Sequence, residues 1–173
     1  MGAIASIIIP AHNEANVISR CLSSIYQTTE PGEFEVVVVC NGCSDNTADI
    51  VRNSFPLVGL IDIPTASKTR ALNVGDSGAK FFPRIYLDAD LSVTGDSLRA
   101  LVDALDSQNA LAACGKMEID ATHSSLLVRQ FYKAWEQNSY LEKGKFGGLF
   151  AVSLQGHERI SPFPNVTNDD ELV

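Results

Sequence analysis

The sequence predicts an α/β fold in which a mostly parallel central sheet carries helices on both faces. Two observations lead there. Between residues 3 and 90 the chain alternates strand-like and helix-like stretches in the order β-α-β-α-β-α-β, the succession that parallel strands joined by crossover helices require. The strand-like stretches are also short apolar runs, with four consecutive valines in the run 34–40, as expected of strands covered on both faces.

Taken in order, Ala3 to Ile9 reads as the first strand, broken by Pro10-Ala11-His12-Asn13. From Glu14 to Gln27 the residues Val17, Ile18, Cys21, Leu22 and Ile25 recur at helical spacing, with Asn13 placed to cap the helix. Phe34 to Cys40 is the second strand, Asn41-Gly42-Cys43-Ser44 a polar turn, and Asp45 to Arg52 a short helix with Ser44 as its cap. Leu57 to Ile63 is the third strand, Thr65 to Ala79 a helix with Ala71, Leu72 and Val74 turned inward, and Phe82 to Leu87 a fourth strand ending at Asp88-Ala89-Asp90. Beyond lie a short strand at Leu91 to Val93, a helix from Gly95 to Ser107 with Leu98, Leu101, Val102 and Leu105 along one stripe, and a strand from Ala110 to Ile119. A helix from His123 to Glu142 and a strand from Leu149 to Val152 precede a Pro-rich stretch and an acidic end.

Composition narrows the function classes. At 173 residues, 45% hydrophobic and 20% charged, with 12 Gly and 7 Pro, the chain suits one globular domain, not a collagen-like, low-complexity or disordered polymer. Its 21 acidic and 13 basic residues give a net charge of −8, the wrong sign for holding nucleic acid through its phosphates. The four cysteines, Cys21, Cys40, Cys43 and Cys114, do not make a disulfide scaffold, so a reducing cytoplasm is the default location. The run Ile7-Ile8-Ile9 is too short to span a bilayer and lacks the basic flank of a signal peptide.

In an open α/β sheet the ligand site lies outside the carboxyl ends of the strands. Here those ends carry Asn13 and Glu14, Asn41 to Asp45, and Asp88 with Asp90, three loops expected to be neighbours in space. Asp88 and Asp90 place two carboxylates one residue apart where the backbone leaves a buried strand. A Mg²⁺ or Mn²⁺ ion that also binds two phosphate oxygens would relieve their repulsion; a solvated turn capping a helix is the other reading. Dinucleotide and P-loop glycine patterns are absent, as are H-E-x-x-H and G-x-S-x-G. The histidines His12, His123 and His157 read as packing or surface residues. Cys40-Asn41-Gly42-Cys43 is a C-x-x-C at a strand-to-helix junction and offers a competing redox reading.

Four segments together resemble the family-2 glycosyltransferases across essentially the whole chain. Ile7-Ile8-Ile9-Pro10-Ala11-His12-Asn13-Glu14 is similar to that family's strand followed by P-A-[YH]-N-E. Val37 to Thr47 resembles V-V-D-D-G-S-x-D-x-T in a variant carrying N-G-C, and Lys68 to Gly75 resembles G-K-x-x-A-L-N-x-G with Ser67 in place of the glycine. Asp88-Ala89-Asp90 matches the metal-binding D-x-D.

The resemblance implies a GT-A fold (Rossmann-like) and inverting transfer of a sugar from a nucleotide-diphosphate sugar, UDP-, dTDP- or GDP-linked, to an acceptor hydroxyl. It implies that Pro10, Ala11, Asn13 and Glu14 frame the nucleotide pocket, that Asn41 meets the base edge and that Lys68 and Arg70 meet the diphosphate. Asn41 can accept or donate, which leaves the base open. Asp90, with Asp88 on the ribose or the same ion, would hold Mg²⁺ or Mn²⁺. Asn168-Asp169-Asp170-Glu171-Leu172 is similar to the family's late E-D pair, with Asp170 the better match for the catalytic base and Asp169 second. Gly147 and Gly148 resemble the segment lining the acceptor side.

Family acceptors are commonly growing polysaccharides or lipid-linked glycans, so peripheral association with the inner face of a membrane is expected from the resemblance. The reading is a single domain over 1–173, with a nucleotide-binding half at 1–95 and a partial acceptor-side half at 96–173 that lacks the family's later elements. A catalytically inactive nucleotide-sugar-binding module is the alternative.

Overall fold

The first strand, β1 (Ala5–Ala11), is buried along its whole length in the computed structural model, which describes residues 2–115, 125, 127, 128, 130, 131 and 148–164. Its burial follows from its position. The sheet has six strands among the described residues, in the order β3-β2-β1-β4-β6-β5. On one side β1 runs parallel to β2 (Phe34–Asn41), from Ala5 opposite Phe34 to Ala11 opposite Cys40. On the other it runs parallel to β4 (Arg84–Leu87), from Ser6 opposite Arg84 to Ile8 opposite Tyr86. The third strand, β3 (Gly59–Ile63), extends the parallel half beyond β2. Antiparallel pairing then attaches β6 (Leu149–Val152) to β4, and β5 (Ala112–Cys114) to β6.

Alternate side chains of β1 feed two cores, as the two-residue period of a strand requires. Ile7 and Ile9 pack with Ile18, Cys21, Leu22 and Ile25 of α1 (Ile18–Tyr26), Val51 of α2 (Thr47–Ser54) and the Leu98, Leu101, Val102 and Leu105 stripe of α4 (Gly95–Ser107). Ile8, on the opposite face, packs with Leu72 of α3 (Lys68–Gly78), Tyr86, Phe150, Val152 and Phe163. The expected layering, helices on both faces of a mostly parallel sheet, is therefore present. None of the helices described is long and apolar enough to cross a membrane.

Several element boundaries differ from expectation for identifiable reasons. The first strand continues through Pro10 and Ala11: pairing with β4 ends at Ile8, so beyond that point β1 borders β2 alone and a missing N–H is tolerated. Helix α1 starts at Ile18, not at Glu14, and Asn13 does not cap it, because Asn13 adopts φ 57° and spends its side chain on the next loop. Helix α2 starts at Thr47 without a side-chain cap from Ser44. Residues 91–93 form no strand; the Val93 amide instead donates to the Ser24 hydroxyl at 3.0 Å. The Pro-rich stretch holds an unexpected helix, α5 (Leu154–Ile160), whose N-cap Ser153 accepts from the Gly156 amide. Helix α4 matches its expected span, whereas most of the expected helix 123–142 lies outside the described residues.

Candidate active site

The loops leaving β1 and β2 are tied together by a polar knot. Asn13 Oδ1 accepts from the backbone amides of Ser44 at 2.8 Å and Asp45 at 3.3 Å. In return, Asp45 Oδ2 accepts from the Ala15 amide at 3.0 Å, and its Oδ1 accepts from the Thr47 hydroxyl at 2.6 Å and the Thr47 amide at 3.0 Å. Thr47, fully buried, uses its own oxygen to accept from the Glu14 amide at 2.9 Å. Burial would raise the Asp45 carboxyl, but the bonds from Thr47 and Ala15 outweigh it and hold the group below its ordinary value. Gly42 makes the turn possible: its φ is +62°, and a Cβ there would lie 2.7 Å from the Ala66 backbone nitrogen.

Within this knot Asn41 is buried, and its side-chain nitrogen donates to the Ala11 carbonyl at 3.0 Å. The contact settles which end of the amide is which, since only the nitrogen can donate to a carbonyl. Oδ1 is left without a partner among the described residues. His12 Nδ1 lies 2.6 Å from the Asn41 carbonyl oxygen, bracing the strand end from above. Pro10 and Ala11 contribute backbone, their side chains being buried in the sheet.

The third loop follows β4. Asp88 is half-buried and Asp90 exposed, with Ala89 buried between them, so the two carboxylates stand on the outer side of the turn. Contacts from other elements help to fix this turn. The Asp88 amide donates to the Gly148 carbonyl at 2.7 Å, the Arg20 guanidinium donates to the Asp90 carbonyl at 2.8 Å, and Lys68 Nζ pairs with Asp88 Oδ1 at 2.9 Å. Lys68 opens α3 behind its cap, Ser67, whose hydroxyl accepts from the Arg70 amide; the Arg70 side chain is exposed on the same turn. Sequence reasoning missed Arg20, which lies on the exposed face of α1 and bears no local mark of its reach to residue 90.

The three loops follow adjacent parallel strands, β2, β1 and β4, and so leave the sheet at the same edge. Burial first, then the charges of Asp90, Asp88 and Asp45, hold the Glu14 carboxyl above its ordinary value, with His12 opposing them. Glu14, Asn13, Asn41, Lys68, Arg70, Asp88, Asp90 and Gly148 therefore belong to the loops and helix start around one edge of the sheet. Gly147, Asp169 and Asp170 lie outside the described residues. No three His, Cys, Asp or Glu side chains gather around a metal position among the described residues. Asp88 and Asp90 form a two-carboxylate set, which suits Mg²⁺ or Mn²⁺ when phosphate oxygens complete the coordination.

Residues 6–146 match the family model for glycosyl transferase family 2. The chain belongs to that family. Among curated relatives of this family 2 member, glycosyltransferase AglE of Haloferax volcanii is 28% identical over 170 residues, covering 92% of this chain and 56% of AglE. Chondroitin synthase of Pasteurella multocida is 30% identical over 112 residues, 63% of this chain and 12% of the synthase. Among solved structures, the mannosyltransferase PcManGT from Pyrobaculum calidifontis, in complex with GDP-Man and Mn²⁺, superposes with a TM-score of 0.70 at 25% identity, covering 98% of this chain and 50% of that one. The family 2 chain thus has the GT-A fold and spans about half the length, or less, of these relatives.

In the C-x-x-C, the surroundings of Cys40 work against a redox role. Burial, followed by the neighbouring Cys43, pushes Cys40 up to about 12. Disulfide exchange needs a thiolate near neutral pH, which this environment opposes. Cys43 instead donates its S–H to the Ala11 carbonyl at 3.3 Å and accepts from the Asn13 amide at 3.5 Å, two more ties between the first two loops.

Proposed function

We propose that this chain carries the donor site of a metal-dependent, inverting glycosyltransferase that moves a sugar from a nucleotide-diphosphate sugar to an acceptor hydroxyl in polysaccharide or glycolipid synthesis. The observation that carries the reading is the convergence, at the carboxyl ends of β1, β2 and β4, of an amide acceptor, a cation and two carboxylates: Asn41, Lys68, Asp88 and Asp90. Family membership and the GDP-Man and Mn²⁺ bound by PcManGT support it.

Each group has a task in that reading. Asn41 spends its nitrogen on Ala11, so Oδ1 accepts from a ring N–H, an edge offered by uracil, thymine and guanine. Pro10, Ala11, Asn13 and Glu14 frame the pocket around it. Lys68 and Arg70, on the first turn of α3, supply positive charge to the diphosphate, aided by the amides of a helix N-terminus. Asp90 and Asp88 hold Mg²⁺ or Mn²⁺, which when bound supplies Lewis-acid stabilisation of the charge developing on the leaving diphosphate. Inversion needs a base on the face opposite the leaving group; Asp170, or Asp169 beside it, takes that role, and Gly147 and Gly148 line the acceptor side. Residues 1–95 form the nucleotide half and 96–173 a partial acceptor half of one domain. A lipid-linked or growing glycan acceptor puts the protein at the cytoplasmic face of a membrane.

Isothermal titration of UDP, dTDP and GDP, each with and without Mn²⁺, tests the reading: metal-dependent binding of at least one is expected, and binding of none would sink it. Asp90→Ala is expected to lose roughly 10²- to 10³-fold in sugar transfer, the usual cost of removing one stabiliser of developing charge. Unchanged transfer in that variant would remove Asp90 from the metal site.

A further inference from the structure

Residues 88–94 join β4 to α4 without a strand or helix of their own, and one side of α1 supplies much of what holds them. Arg20 Nη2 donates to the Asp90 carbonyl at 2.8 Å, and Cys21 Sγ lies 4.0 Å from the Asp88 carbonyl oxygen. One turn on, the Ser24 hydroxyl accepts from the Val93 amide at 3.0 Å. Just past the helix end, the Thr28 hydroxyl accepts from the Gly95 amide at 2.8 Å. Positions 20, 21, 24 and 28 fall within about 100° of one another around a helix axis, so a single side of α1 tracks the connection from the acidic turn to the start of α4. The helix is itself anchored, since Ile18, Cys21, Leu22 and Ile25 are fully buried in the core.

We infer that Arg20 is a positioning residue of the candidate metal site: by holding the Asp90 carbonyl, it fixes the peptide unit from which the Asp90 carboxylate projects towards a divalent cation. The inference rests on the donor-site reading above and deepens it by adding a residue on α1 to that site. Asp90 is exposed, so packing of its own side chain does not set its place. The bond from Arg20 does so from a helix fixed to the sheet. It ends on the carbonyl, so it does not consume the carboxylate that a metal ion would take.

The sign of the effect separates this role from a simple effect of charge. A guanidinium near a divalent cation repels it, so loss of that charge alone tightens metal binding. Loss of a bond that orders a metal ligand weakens binding, typically by roughly 10- to 100-fold. The two accounts therefore predict opposite changes when Arg20 is neutralised.

The test measures Mn²⁺ held by the full chain with saturating UDP, dTDP or GDP, from the enhancement of water-proton relaxation over a blank of ion and nucleotide. Arg20→Met keeps an unbranched apolar stem and removes the donors. Because Arg20 is exposed, this variant is expected to melt close to wild type, as most surface substitutions do, and its melting curve checks that. It is expected to bind Mn²⁺ about 10-fold or more weakly than wild type. Arg20→Lys, which returns the charge and a donor on a shorter stem, is expected to fall between the two. Arg52→Met makes the same substitution on the exposed side of α2, where Arg52 pairs with Asp49, and is expected to leave the Mn²⁺ affinity near wild type. Mn²⁺ affinity in Arg20→Met equal to or tighter than wild type, or an equal loss in Arg52→Met, overturns the positioning role while leaving the donor site standing. Absence of Mn²⁺ binding to wild type with every nucleotide overturns the donor-site reading, and the inference with it.

Discussion

Glu14 carries an electrostatic cost that a single substitution can expose. Its carboxyl is held above its ordinary value by burial and by Asp90, Asp88 and Asp45, so the ionised form is disfavoured in the folded protein relative to the unfolded chain. The sign follows from that direction. Above the folded value the ionised carboxylate costs stability, and below the unfolded value, near pH 4, the cost is absent. Glu14→Gln is therefore expected to melt at a higher temperature than wild type near neutral pH, to lose that advantage as the pH falls to about 4, and to bind nucleotide more weakly. Thermal melts across this range check it, and a melting temperature below wild type at neutral pH would contradict the electrostatic account. Asn13 is the complementary case, a polar residue whose every identified contact is with the neighbouring loop or with His12. Its identity was visible in the sequence, but its work was not: residue spacing suggested a cap for α1, whereas a φ of 57° turns the side chain towards Ser44 and Asp45.

Helix α3 links the candidate site at its first turn to a buried polar network at its last. Its first turn presents Lys68 and Arg70 to the site, and its body lies close on the sheet because Gly75 has no side chain: a Cβ there would sit 2.6 Å from Ile8 Cγ2. Its last turn carries Asp76, which anchors a buried network. Asp76 Oδ1 accepts from Arg84 Nε at 3.2 Å and from the Tyr86 hydroxyl at 3.0 Å, while Oδ2 meets His157 Nε2 of α5 at 2.5 Å. Asn73 adds a two-way clamp, donating to the Phe163 carbonyl and accepting from the Phe163 amide, both at 2.8 Å. These contacts hold α5 and the chain after it against α3. Removing one partner of a buried ion pair leaves the other charge unpaired, so Asp76→Ala is expected to destabilise the fold by roughly 3–5 kcal/mol, measured by urea unfolding. The Arg84 guanidinium, buried and stacked 4.2 Å from the Phe82 ring, is the charge that would be stranded. A loss below about 1 kcal/mol would mean that Arg84 finds enough compensation in the Ser6 hydroxyl and in the Phe81 and Ala79 carbonyls.

At the scale of the whole molecule, ligand binding and folding are linked. Ligands that bind only the native state stabilise it by about 2.7 kcal/mol at one hundred times their dissociation constant. For a domain of this size that is a rise of roughly 5–10 °C in melting temperature. Mn²⁺ with the cognate nucleotide is expected to produce such a shift, and either ligand alone a much smaller one. Thermal shift measurements with each ligand and with both decide it, and no shift with any combination would count against the donor-site reading.

The α/β class, the succession of the first four strands and the placing of the loops after β1, β2 and β4 at one edge of the sheet were all legible in the residues. Each depends on a local signal: apolar runs, helical spacing, and polar residues where strands end. What could not be read were contacts between positions far apart in the chain. Arg20 holding the carbonyl of Asp90, Asp45 holding the start of the α1 region, Asp76 joining Arg84 to His157, and Lys68 closed on Asp88 are all partnerships of that kind. Helix α5 was missed for the same reason, since its short span is stabilised by α3 and the sheet and carries little helical pattern of its own. Sequence periodicity reports which face of an element is buried; it does not report which charged or polar group lies across the gap. That choice is made when strand order and helix packing bring distant side chains within a few ångströms, and here it arranged the charges of the candidate site.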